Sequence, residues 1–203
     1  MGMLKRAIGP SAIHLCIDMQ RLFDVGGPWP TPWMRRVLPV VIAIVEHSPR
    51  HTVFTRFLPP STPEHARGNW RAYFEKWAGV TRSAVVPKCL QLVSPLESFV
   101  PPASIFDKSV YSAFANGALH RRLQAKGIDT LIVTGSETDV CVLATVLSAV
   151  DIGYRIVVVK DGLCSSSDES HDALLALYAM RFDVQVELAT AEEVLDCWRP
   201  QRQ

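Results

Sequence analysis

Three side chains in this chain of 203 residues could do acyl-transfer chemistry, and each follows a short apolar run. Asp18 closes Ala12-Ile13-His14-Leu15-Cys16-Ile17, and Lys108 follows Ala103-Ser104-Ile105-Phe106-Asp107. Cys141 comes shortly after Thr130-Leu131-Ile132-Val133, in Gly135-Ser136-Glu137-Thr138-Asp139-Val140-Cys141. The carboxylate can take the thiol proton and later return it to a leaving amine. The ammonium stabilises thiolate and carboxylate together. Singly, each also has a plain structural reading: Cys141 as a small buried hydrophobe, Asp18 as a strand-end residue or helix cap, Lys108 as a solvated charge. If the three runs are neighbouring parallel strands, the side chains converge on one sheet edge, and together they favour function.

The elements that must position them are legible. Thr130 to Asp161 holds one strand–helix–strand unit, with β-branched runs flanking a helix as in a buried parallel sheet. Cys141 then falls at or near a helix N-terminus, where free N–H groups and the macrodipole favour thiolate. The carboxyl end of such a strand is also where open α/β sheets bind ligands. The full pattern predicts strands at 12–18, 52–57, 103–107, 129–134, 155–160 and 183–187. Helices are expected at about 33–47, 68–78, 116–126, 140–152, 169–181 and 191–198. Asn116, Ser167 or Asp168, and Thr190 with Glu193 supply helix caps. Strands alternating with helices indicate a three-layer α/β/α sandwich with a mostly parallel sheet. No GxGxxG or GxxxxGK[ST] is present, so a dinucleotide or P-loop site is unsupported.

Ile17-Asp18-Met19-Gln20, Lys108 with Tyr111-Ser112-Ala113-Phe114, and Gly135 to Val142 with Thr145, Ala149, Gly153, Tyr154 and Asp161 resemble the isochorismatase-like cysteine hydrolases. That superfamily includes nicotinamidases and N-carbamoylsarcosine amidase. The likeness runs from about Ala12 to Leu195, with the three motifs in the family's order. It implies six strands in a Rossmann-like order, one domain over 1–203 and a homo-oligomer. It also implies Asp18 as general base, Lys108 as its charge partner and Cys141 as nucleophile. A cis peptide is implied at Ser136-Glu137, with the backbone N–H groups of Glu137 and Cys141 as the oxyanion hole.

Specificity is expected in two irregular, aromatic-rich segments, Phe23 to Trp33 and Thr55 to Trp77. Phe23, Arg56, Trp70 and Tyr111 are the substrate-pocket candidates. Most of these aromatics also suit a core or a subunit interface, and Arg56 suits either a substrate carboxylate or carbonyl or a surface ion pair. Nicotinamidases carry an Asp-x-His metal motif just after this strand. Here the stretch is Arg56-Phe57-Leu58-Pro59, and His65 alone cannot replace several ligands. The expectation is therefore no metal, no cofactor and a substrate other than nicotinamide. True isochorismatases cleave a vinyl ether without a cysteine nucleophile, so Cys141 argues against that reaction too.

Composition narrows the rest. A net charge of +1 gives no reason to expect nucleic acid or an anionic membrane as partner. No apolar run is long enough to span a bilayer, and the first residues lack a signal-peptide core, so the cytoplasm is expected. Five scattered cysteines without CxxC spacing fit a reducing compartment. The reading is a hydrolase of a carbon–nitrogen bond in a small amide or ureido compound, working through a thioester. The alternative is a non-catalytic oligomeric scaffold, or a thiol redox responder with Cys141 as sensor.

Overall fold

Apolar, β-branched strands with no exposed face need cover on both sides, and this chain supplies it with helices. The structure, a computed structural model, describes residues 4–200. Its strands are β1 (Ala12–Ile17), β2 (Thr52–Phe57), β3 (Ser104–Lys108), β4 (Thr130–Ser136), β5 (Arg155–Cys164) and β6 (Val186–Ala189). Its helices are α1 (Met34–His47), α2 (Asn69–Lys76), α3 (Ser94–Glu97), α4 (Ala118–Gln124), α5 (Leu143–Asp151), α6 (Asp168–Arg181) and α7 (Ala191–Cys197). Every residue of β1 and β4 is buried. On one face Ile13, Leu15, Leu131, Val133 and Val158 pack against Leu123 of α4, Val146 of α5 and Tyr178 of α6. On the other, Ile132, Val157 and Val159 pack against Ile44 of α1 and Val194 of α7. The result is the three-layer α/β/α sandwich that the pattern indicated.

The six strands run parallel in the order β3-β2-β1-β4-β5-β6. Strand order reverses between β1 and β4, and the crevice at the carboxyl ends of that pair is where a doubly wound sheet leaves room for a ligand. Gly135 allows the two strands to close up there. A Cβ at that position would stand 2.0 Å from the Ile17 carbonyl oxygen, and its φ is +116°. Only glycine fits.

Several element boundaries differ from the sequence expectation. β5 continues to Cys164 because its pairing with β4, broken between Val133 and Gly135, resumes at Gly135 with Leu163 and Ser136 with Cys164. The last strand starts later, at Val186, because Gln185 and Val186 first donate back to the Phe182 carbonyl. The helix expected from residue 140 opens as a π-turn, Thr138–Val142, before α5 begins. Asn116 does accept from the Ala118 N–H, at 2.9 Å, but the N-cap position belongs to the left-handed Gly117. The cap at Ser167 and the Thr190–Glu193 capping box are present. No helix among the described residues is long and apolar enough to cross a membrane.

His14 ties the central strands together. Its Nε2 lies 2.7 Å from Thr134 Oγ1 on β4, and Nδ1 lies 3.4 Å from Thr52 Oγ1 on β2. Complete burial lowers its pKa from 6.5 to about 3, so it is neutral in the fold and charged in the unfolded chain below pH 6.5. The unfolded state therefore takes up the extra proton, and stability falls as pH drops through that window, by up to about 1.4 kcal/mol per unit. Urea midpoints between pH 6.5 and 5, above the main carboxylate range, should fall steeply for the native protein and more gently for His14→Asn. Equal slopes would show that His14 does not titrate on unfolding.

Candidate active site

The charges enter the crevice from two strand ends. Asp18 directly follows β1 and adopts φ 46°, a left-handed turn that Asp tolerates better than most residues. Its backbone N–H donates to Thr55 Oγ1 at 3.1 Å, and the Thr55 hydroxyl donates back to Asp18 Oδ1 at 2.6 Å. The second carboxylate oxygen, Oδ2, accepts from Lys108 Nζ at 2.6 Å. Lys108, at the end of β3, also donates to the Val110 carbonyl at 3.1 Å and lies 5.3 Å from the Phe57 ring centre. The side chains of Asp18 and Lys108 are 0% and 3% exposed, so this is a buried ion pair with its remaining hydrogen-bonding capacity largely met.

Cys141 approaches from the π-turn after β4. Val142 N–H reaches the Glu137 carbonyl at 3.1 Å, which closes that turn, and Thr138 Oγ1 donates to the Cys164 carbonyl at 3.1 Å. His171 Nδ1 lies 2.8 Å from the same hydroxyl, so this histidine braces the turn from α6. Asp139 accepts from Ser165 and Ser170, and Glu137 accepts from the Ser166 N–H at 3.1 Å. The Ser136–Glu137 peptide is cis. The Glu137 N–H donates to no protein atom among the described residues.

The thiol lies close enough to Asp18 and Lys108 for both to act on it. Burial raises its pKa most, the Asp18 charge raises it further, and Lys108 opposes them without prevailing. Burial alone would lower the Lys108 pKa, yet the charges of Asp18 and Cys141 raise it overall. Both directions favour the state in which Lys108 is an ammonium and Cys141 keeps its proton. This corrects the expectation of a populated thiolate. A cysteine anion beside the Asp18 carboxylate would leave two buried negative charges against one positive charge, and the turn end does not compensate.

A cavity of about 300 Å³ opens onto the thiol. Phe23, Trp29, Phe57, Tyr73, Trp77 and Tyr111 form its aromatic wall, with Glu137 and Ser166 among its few polar groups. Trp29 is the hub, with ring centres of Phe23, Tyr73 and Trp77 at 6.2, 6.1 and 5.8 Å. Of the four pocket candidates, Phe23 and Tyr111 line this cavity. The other two do not. Arg56 pairs with both oxygens of Asp107 at 2.7 and 2.9 Å, its register partner on β3, and reaches Gln91. Trp70 stands behind Tyr111, edge-on at 4.7 Å, and faces a separate groove.

The sequence reading also missed two positioning residues. Thr55 looked like one more β-branched strand residue, and its place opposite Asp18 depends on the pairing of β1 with β2. Gln20 is buried, donates to the Phe57 and Leu90 carbonyls at 3.1 and 2.8 Å, and accepts from the Phe57 N–H at 2.6 Å. It pins the turn after Asp18 to the end of β2. Its presence in Asp18-Met19-Gln20 was the available signal. Phe57 and Pro59 offer no metal-binding atoms, and no group of three or more His, Cys, Asp or Glu side chains suited to a metal occurs among the described residues.

Known proteins share the family and the fold of this chain. The family model described as Isochorismatase domain matches residues 12–193. The isochorismatase family protein PncA of Bacillus subtilis (strain 168) is 37% identical over 86 residues, 42% of this chain and 47% of its own length. Matches to the first curated relatives thus span less than half of those proteins. Nicotinamidase 3 of Arabidopsis thaliana is 28% identical over 177 residues, covering 87% of this chain and 84% of that protein. Among solved structures, a cysteine hydrolase from Pseudomonas syringae pv. phaseolicola 1448A superposes with a TM-score of 0.82 at 18% identity. That alignment covers 97% of this chain and 96% of the other.

Removing one partner of a buried ion pair strands the other charge. Lys108→Met should cost on the order of 3–5 kcal/mol in urea unfolding, and adding Asp18→Asn should recover part of that loss. If the single and double variants were equally destabilised, the two charges would not be coupled.

Proposed function

The chain belongs to the isochorismatase family of hydrolases, and within it we propose that this protein cleaves the carbon–nitrogen bond of a small amide or ureido compound. One observation carries the reading: a buried, hydrogen-bonded Asp18–Lys108 pair beside Cys141, whose thiol lines an aromatic cavity at the sheet's switch point. In the first step the Cys141 sulfur attacks the substrate carbonyl carbon while its proton passes to Asp18. The carbonyl electrons move to oxygen, held by the backbone N–H groups of Glu137 and Cys141. The intermediate collapses, the carbon–nitrogen bond breaks, and Asp18 delivers the same proton to the departing nitrogen. Asp18 then takes a proton from water, the hydroxyl attacks the thioester, and the acid leaves as the thiol regains its proton. Lys108 keeps its charge throughout and holds the Asp18 carboxylate in place.

The neutral resting thiol supports this order of events. A thiol redox responder needs an accessible thiolate, and Cys141 is 6% exposed with its pKa raised. A scaffold gains little from a buried charge pair aimed at a cavity. That a full-length relative is named a nicotinamidase adds weight to amide chemistry. Phe57 and Pro59, whose side chains offer no metal-binding atoms where the metal-binding motif would fall, support catalysis without a metal. We further propose a homo-oligomer, since Trp77 at the cavity wall is 40% exposed, and a cytoplasmic setting, since five free cysteines suit reducing conditions.

A panel of small uncharged amides and ureides, assayed for ammonia release, tests the reaction. At least one should be turned over, with activity unchanged after exhaustive chelation. Asp18→Asn should lower turnover by two orders of magnitude or more, measured well below its thermal midpoint because stranding the Lys108 ammonium also lowers stability. If Asp18→Asn retained near-native turnover, the proton path would be wrong; if nothing in the panel were cleaved, the amidase reading would fall.

A further inference from the structure

A second cavity, of about 450 Å³, lies at the opposite edge of the sheet from Cys141. Ile13, which lines it, is five residues before Asp18 on the same strand, so roughly 16 Å of chain separate the two sites at about 3.3 Å per residue. Every ionisable side chain that lines this cavity is basic: Arg50 and His51 from the turn before β2, Arg122 from α4, and Lys126 just beyond it. Among the described residues none of the three permanent cations forms an ion pair with a carboxylate. Helix capping does not account for them either. The Arg121, Leu123 and Gln124 carbonyls at the end of α4 are taken by the backbone N–H groups of Ala125, Lys126, Gly127 and Ile128. Arg122 does reach the Ile105 carbonyl, at 3.3 Å, which leaves its other donors unassigned. The crowding has an effect on the protein itself: burial and then the Lys126 charge lower the pKa of His51, whose Nδ1 lies 2.8 Å from Ser48 Oγ. Beneath the charges the floor is apolar, built of Ile13, Val53, Leu123 and Ile128.

Cations gathered from two elements over an apolar floor, with no acid in the lining, repel one another until an anion enters. We propose that this cavity is a binding site for a small organic dianion, an apolar body carrying a phosphate monoester. Arg50, Arg122 and Lys126 take the phosphate, with guanidinium forks suited to its oxygens, and the body rests on the Ile13–Leu123 floor. The site is separate from the amide-cleaving crevice and does not depend on that assignment.

Phenyl phosphate and inorganic phosphate are the probes, titrated calorimetrically into the full chain at low ionic strength. Phenyl phosphate should bind at one site and weaken as salt is added. Arg50→Gln/Lys126→Gln, both at exposed positions outside the crevice, should weaken it at least tenfold while amide turnover and thermal midpoint stay as in the native protein. Cys141→Ala should leave the affinity unchanged. Inorganic phosphate should bind more weakly, because it gains nothing from the floor. Absence of binding at millimolar phenyl phosphate, equal affinity in the double variant, loss on Cys141→Ala, or equal affinity for the two probes would overturn the proposal.

Discussion

A carboxylate and an ammonium buried together at 2.6 Å need a fold that holds both in register and closes off water. Here Asp18 directly follows β1, β3 ends in Lys108, and β2 between them contributes the Thr55 hydroxyl that fixes one carboxylate oxygen. Gln20 clamps the turn after β1 to the end of β2, so the carboxylate is held from the main-chain side as well. Ala113 N–H donates to Thr145 on α5 at 3.2 Å, and Ser112 donates to Ser148 at 2.9 Å, which ties the segment after Lys108 to the helix that follows Cys141. The pair and the thiol are thus fixed to one another through three strands and a helix. Gly135, at the rim of the crevice, matters because it sets how closely β1 and β4 approach there.

Burial and the same pair together set the state of the thiol. Asp18 and Lys108 together carry no net charge, so the crevice is balanced while Cys141 stays protonated. Moving the thiol proton onto Asp18 keeps that balance, because one negative charge is exchanged for another beside the same ammonium. Losing the proton to solvent does not. The geometry therefore couples ionisation of the sulfur to protonation of the carboxylate, and a proton so stored is available to a leaving nitrogen. The aromatic wall strengthens this coupling by lowering the local dielectric.

Much of this was legible in the residues. The alternation of Ile-, Val- and Leu-rich runs with helical stretches marked the layers, and Asp18, Lys108 and Cys141 stood out because charge or thiol followed an apolar run. What escaped detection depended on partners far away in sequence. For Arg56 a substrate contact and an ion pair both stayed open, because nothing local announces Asp107 as its neighbour on β3; the structure shows the ion pair. Trp70 and Trp29 lie in equally aromatic segments, and only the folding back of the 23–33 loop puts Trp29 at the hub and Trp70 behind Tyr111. The protonation of Cys141 was missed for a related reason. A helix start favours thiolate locally, but burial and a carboxylate from another strand outweigh it.

The claim that burial and the Asp18 charge together hold the thiol neutral can be measured without any substrate, from the pH dependence of Cys141 alkylation by iodoacetamide, located by peptide mass mapping. The native protein should react slowly at neutral pH with an inflection well above that of a free thiol, and Asp18→Asn should shift the inflection down and speed alkylation at pH 7. An inflection below neutral in the native protein, or one that does not move when the Asp18 charge is removed, would contradict the account.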